Sequence, residues 1–297
     1  MKKTIKKRAF ISAIAMLIVS AIVLTSSTFA WFSMSKEAQV SSMNLNITTA
    51  DGISISANTH KFGTTVTVDD IIPTAETAGK NLAADADHTN NIPNLLSPVS
   101  SDFALVTGYP VFYSGSIPEG NTTVKVTKLD NDYSGQFVVF DLFVQVSENN
   151  TQVKLTDSSI KCDDGNVIKS IRVGLINCGN KEFSEKDATK TITTTLKANT
   201  AMWIADGNAS DQTKYISSTC GTRDITKSTD GPVAASYSIN TSAGTVAKST
   251  NASDFSFIAQ QGVNRVRFYL WIEGNDVDCD NPIAGNSFDF NLKLSID

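Results

Sequence analysis

The chain has 297 residues, 25 of them basic and 30 acidic, for a net charge of −5. The first 30 residues hold five basic residues and no acid, so the remainder carries 20 basic against 30 acidic residues, net −10, which excludes attraction to nucleic acid or an anionic membrane. A hydrophobic content of 41% supports a packed core and excludes wholesale disorder.

Lys2, Lys3, Lys6, Lys7 and Arg8 open the chain. Ala9 to Leu24 is then apolar except for Ser12 and Ser20, and Thr25 to Ala30 is mostly small and polar. That order is the layout of a secretory leader, with cleavage expected between Ala30 and Trp31. The apolar run is short of the roughly 20 residues a membrane span needs. The rival reading is an uncleaved anchor, in which Trp31 and Phe32 extend the run to an aromatic interfacial belt. Cleavage would leave Trp31-Phe32-Ser33-Met34 as a free end. Each aromatic ring buries about 150–250 Å² when covered. The end is therefore expected to be hidden by the chain's own core or by a neighbour.

Met43, Leu45 and Ile47, then Ile53 and Ile55, flank Asp51-Gly52, which is a hairpin signal. Thr64 to Val68 reads as a strand, and Pro73 to Pro98 as a long polar surface excursion. Ala104 to Ser114 and Thr122 to Leu129 read as strands. Phe137 to Val146 is apolar on both faces, which places it centrally in a sheet. Ile168 to Ile176 follows, then a polar loop over Cys178 to Lys190. Thr191 to Leu196 and Ala201 to Ala205 read as strands, and Asp206 to Pro232 as a second excursion. Val233 to Ile239 and Phe255 to Ile258 are weaker strand patterns. At the end, Val266, Phe268, Leu270 and Ile272, then Phe288 to Ile296, alternate strongly, predicting an antiparallel pair with one wet face. The sum is an all-β fold: an antiparallel β-sandwich, jelly-roll-like, with two long loop insertions.

Cys162, Cys178, Cys220 and Cys279 allow three pairings on an exported chain. Joining sequence neighbours, Cys162 with Cys178 and Cys220 with Cys279, is the simplest; buried thiols are the alternative. Their spacing does not suit a zinc ribbon or a thioredoxin-like redox motif. The histidines, His60 and His88, sit in polar loop-like sequence as solvated side chains. No G-x-S-x-G, phosphate loop or dinucleotide fingerprint is present, so no enzyme is expected. Asp130, Asp132, Ser134, Gly135 and Asp141 match a calcium-loop spacing, but Asp141 lies inside a strand and a plain turn explains the rest. Glu273, Asp276, Asp278 and Asp280 offer hard oxygen ligands suited to calcium, or serve as solvated turn residues. No other cofactor is expected. Asp141 and Arg172, each on a mostly apolar strand, are expected to pair across neighbouring strands or to reach the rim of the sheet.

The junction Thr28-Phe29-Ala30-Trp31-Phe32-Ser33 resembles the leader ends of Firmicute exported proteins processed by the SipW type of signal peptidase, the TasA and camelysin group. Phe140 to Val144, Ile171-Arg172-Val173 and Trp271 to Cys279 look like segments of clostridial surface proteins with that leader. The resemblance implies a secreted jelly-roll subunit that polymerises into matrix or surface fibres, its mature amino-terminal segment completing the next subunit's sheet. Carried onto this chain, it implies a signal peptide over 1–30, a donor-strand segment over 31–48 and a single β-sandwich domain over 49–297. Trp31, Phe32 and Met34 would be the donor anchors. The expected partners are other copies joined head to tail, with matrix or cell-wall components, and a membrane only through the leader before cleavage. A monomeric cell-surface adhesin or glycan-binding module, using the loops 73–98 and 206–232, is the alternative.

Overall fold

The computed structural model describes residues 42–57, 61–71, 92–93, 96–106, 109–116, 123–129, 136–162, 165–181, 200–204, 223–226, 247–249, 255–274, 276, 279 and 287–296. In chain order these form β1 (Ser42–Thr49), β2 (Ile53–Ser56), β3 (Thr65–Thr67), helix α1 (Val68–Ile71), β4 (Leu105–Val106), β5 (Tyr109–Pro110), β6 (Tyr113–Ser116), β7 (Thr123–Lys128) and β8 (Val138–Val146). There follow β9 (Thr151–Leu155), β10 (Ser159–Cys162), helix α2 (Gly165–Ser170), β11 (Ile171–Lys181), β12 (Thr200–Ile204), β13 (Arg223–Thr226), β14 (Ala247–Ser249), β15 (Ser256–Ala259), β16 (Gly262–Ile272) and β17 (Ser287–Ile296).

Two main sheets make a β-sandwich. One runs β15-β9-β17-β1-β3, with β10 also on β17; the other runs β14-β12-β11-β16-β8-β2. Period-two alternation explains the inner core. Val138, Phe140, Leu142 and Val144 of β8, Val266, Phe268, Leu270 and Ile272 of β16, and Ile171, Val173 and Leu175 of β11 point inward from the second sheet. Phe288, Phe290, Leu292 and Leu294 of β17, with Leu45 and Ile47 of β1, meet them from the first. Such facing rows are how two sheets exclude water from between them.

Several connections differ from the local reading. β16 and β17 are not a pair: they lie in opposite sheets, because β16 bonds to β8 and β11 while β17 bonds to β1, β9 and β10. Asp51-Gly52 does not close a hairpin either. It carries the chain from β1 in one sheet to β2 in the other, with Gly52 at φ +87° directly under Ile296. The segment Ala104 to Ser114 breaks into β4, β5 and β6, and β11 runs on to Lys181 into sequence expected to be loop. Leu96, inside the expected surface excursion 73–98, is buried in the inner core, and residues 223–226 of the second excursion pair with β7 as β13. Thr191 to Leu196 and Val233 to Ile239 lie outside the described residues.

Candidate functional site

The described part of the expected donor segment is β1. It runs parallel to β17, from Ser42 opposite Ser287 to Thr49 opposite Leu294. On its other side Asn46 to Thr48 meet the three residues of β3 in antiparallel register. Parallel pairing between the first and last described strands cannot come from a short turn, so it is a purely tertiary contact. The strand's alternation is simple: Leu45 and Ile47 are buried, while Asn44 and Asn46 face solvent. Asn44 Nδ2 donates to Asp289 Oδ1 at 2.8 Å, and Ala50 N donates to the Leu294 carbonyl at 2.9 Å. Trp31, Phe32 and Met34, and the Ala30–Trp31 junction, lie outside the described residues.

The second sheet has an unexpected buried outer face. Arg265, Arg267, Tyr269, Trp271 and Glu273 read as a wet face from sequence, yet all are buried. The segment from Val99 to Tyr113 covers part of it. Val99 N donates to the Ile272 carbonyl, Gly274 N donates back to the Val99 carbonyl, and Ser100 and Tyr113 exchange two backbone hydrogen bonds. Phe103 is the centre of this cover. Its ring stacks on Trp271 at 5.5 Å between centroids and meets Tyr269 edge-on, also at 5.5 Å. It fits because Gly174 beneath it has no side chain: a Cβ there would lie 2.7 Å from Phe103 Cε1 and closer still to two other ring atoms. The backbone at Phe103 takes φ +58°, an unfavourable value for an aromatic residue. Phe103 N donates to Ser101 Oγ at 3.0 Å, and Ala104 N to Asp102 Oδ1 at 3.0 Å, which hold that bend.

Buried charges line the same face, and their partners differ from expectation. Asp141 pairs with Arg265 and Arg267, not with Arg172. Arg267 Nε reaches Oδ1 at 2.7 Å, its Nη2 reaches Oδ2 at 3.1 Å, and Arg265 Nε reaches Oδ2 at 2.6 Å. Register explains this: Asp141 lies directly opposite Arg267, which lies opposite Ile176, four residues along β11 from Arg172. Arg172 instead pairs with Asp276 and donates to the Lys169 carbonyl at 2.7 Å. Burial works against the charged form of Arg267, but the Asp141 charge and hydrogen bond outweigh it and hold the guanidinium above its ordinary pKa. Burial pushes the Tyr269 hydroxyl up, with Asp141 adding to the effect and Arg267 offsetting part of it.

The acidic loop after β16 is therefore partly internal. Glu273 Oε2 accepts from Trp271 Nε1 at 3.1 Å and from Ser101 N at 3.2 Å, and Asp276 faces Arg172. Two of the four carboxylates considered for calcium thus already hold protein donors; Asp278 and Asp280 lie outside the described residues. Among the described residues no group of three or more His, Cys, Asp or Glu is placed to hold a metal ion. Asp130, Asp132, Ser134, His60 and His88 lie outside them.

Cys162 and Cys178 are not joined to each other; Cys220, and with it the Cys220–Cys279 pairing, lies outside the described residues. For Cys162 and Cys178 the reason is topological. Cys162 packs against the inner core, whereas Cys178 belongs to the outer-face cluster with Phe103, Phe137 and Trp271. The second sheet separates them. The sequence signal for the outer face was present but ambiguous: Tyr269 and Trp271 share their face with Arg265, Arg267 and Glu273, and nothing local says what covers them.

Among the described residues no helix is long and apolar enough to cross a membrane. No protein-family model matches the chain, and neither curated proteins nor solved structures give a significant match.

Proposed function

We propose that this protein is an exported structural subunit of an extracellular fibre, biofilm matrix or cell-surface filament, in which copies join by exchanging their amino-terminal strand. The observation that carries the reading is the placement of β1. It sits between β17 and β3, crosses to the opposite sheet through Ala50 to Gly52, and gives the inner core Leu45 and Ile47. Those two side chains contribute roughly 3–6 kcal/mol together when fully covered. The same strand from another copy would make identical contacts in the slot, so exchange costs little beyond association itself. A strand passed head to tail does not close on itself, and the product is a filament. The leader layout supports export, and Trp31, Phe32 and Met34 lie just upstream of β1 as anchors for the donated segment.

Sedimentation of the secreted protein over a hundredfold concentration range tests this. Assembly growing with concentration, and lost on deletion of Trp31 to Ser35 while the monomer stays folded, is the expected result. A full chain that stays monomeric throughout would overturn the reading and leave a monomeric adhesin or glycan-binding module in its place.

A further inference from the structure

The apolar pattern of β1 does not by itself fix where the strand seats. Sliding it by two residues along β17 keeps the same faces in and out, because β17 offers Phe288, Phe290, Leu292 and Leu294 at every second position. Two features select the observed register. One is the turn: Gly52 lies under Ile296, 2.8 Å from Cδ1 to where a Cβ would stand, and Ala50 N bonds to the Leu294 carbonyl. The other is the exposed Asn44–Asp289 hydrogen bond, an amide donating to a carboxylate at 2.8 Å. Among the described residues it is the side-chain hydrogen bond that joins β1 to β17.

These two features differ in what happens to them on exchange. The turn at Ala50 to Gly52 is the hinge, so it opens when β1 leaves, and the contact with Ile296 goes with it. Asn44 travels with the strand. We infer that Asn44 and Asp289 form the register key of the slot: Asp289 is the positioning residue that reads the incoming strand of a second copy and rejects seatings two residues out of step. A slip of +2 would set Asn44 against Asn291, and a slip of −2 would set it against Ser287, exchanging a charge-assisted bond for a neutral one in either case. The residues are exposed, so the pair adds little to overall stability; its effect is on which of several similar seatings is occupied. This inference rests on the strand-exchange reading for its second copy, but the register itself does not.

The test is disulfide trapping in the full secreted chain. Asn44 and Asp289 are kept, and Thr48→Cys is combined with Lys293→Cys, its opposite residue, and in parallel with Asn291→Cys or Ser295→Cys, under a thiol–disulfide buffer, with linked peptides assigned by mass spectrometry. Directly opposed residues on neighbouring strands are about 4.7–4.9 Å apart, within the range a disulfide spans. The expected result is a link in the 48–293 variant at least tenfold more abundant than in the other two, appearing as a covalent ladder of copies, with that preference reduced when Asp289→Ala is added. A 48–293 link confined within single chains would uphold the register and overturn exchange. A stronger link at 291 or 295, none at 293, or a preference that Asp289→Ala leaves unchanged would overturn the register key. As a second measurement, Asn44→Asp sets two carboxylates together and should slow assembly, and adding Asp289→Asn should restore it. Equal assembly by all of them would also overturn the key.

Discussion

Replacing Gly174 with alanine probes the packing that seals the outer face. The added methyl would overlap the Phe103 ring, which is fully buried between Tyr269 and Trp271. Ordinary contact needs at least 3.4 Å, whereas the nearest ring atoms stand at 2.7 Å or less from that methyl position. The ring must therefore retreat, and its stacked neighbours leave no room beside it. Unseating a phenylalanine forfeits about 150–250 Å² of burial, about 4–6 kcal/mol at 25 cal/mol per Å². Release of the left-handed backbone at Phe103 returns about 1 kcal/mol. The net destabilisation expected is about 3–5 kcal/mol. The assay is urea unfolding followed by Trp271 emission, in a chain carrying Trp31→Phe and Trp203→Phe. The Gly174→Ala midpoint should fall and native emission should shift toward that of a wetter indole. Combining Gly174→Ala with Phe103→Ala should cost less than the two changes summed, by about 1 kcal/mol or more, because the methyl then occupies vacated space. An unchanged midpoint with unaltered emission would refute the argument that Phe103 needs the glycine.

Asp141→Asn should destabilise the fold by about 3–5 kcal/mol in the same denaturation assay, since it leaves Arg265 and Arg267 buried without their carboxylate. Asp157→Asn, at an exposed pair with Lys293, should cost under about 1 kcal/mol, and equal losses would contradict the burial argument. For Tyr269 the folded pKa is raised above the unfolded value of about 10, so the folded state keeps its proton longer and its stability is lost as pH rises past that value. Tyr269→Phe should flatten the fall of stability with pH above about 10; an unchanged slope in urea melts at several alkaline pH values would count against it. Cys162, half-buried, should be alkylated by iodoacetamide in the native protein, while Cys178 and Cys279 should react only on unfolding, as mass mapping can show. A Cys162–Cys178 bridge in the secreted protein would contradict the placement of these residues on opposite sides of the second sheet.

What the sequence determined by itself was local. Alternation marked β8, β16 and β17 closely, because side chains on a strand change face at every residue and burial of one face is written into neighbouring positions. The two buried faces of β8 were legible in the same way, from apolar residues on both parities. The tertiary structure decided what those faces touch. Whether Asp51-Gly52 closes a hairpin or crosses between sheets depends on the parallel seat that β17 offers β1, far away in sequence. Whether Asp141 meets Arg172 or Arg267 depends on strand register, which no single strand encodes. The charges and rings of β16 read as a wet face until Phe103, folded over Gly174, closed part of it from solvent. Periodicity is a property of one segment, but burial belongs to a pair of surfaces, and the second surface comes from elsewhere in the chain.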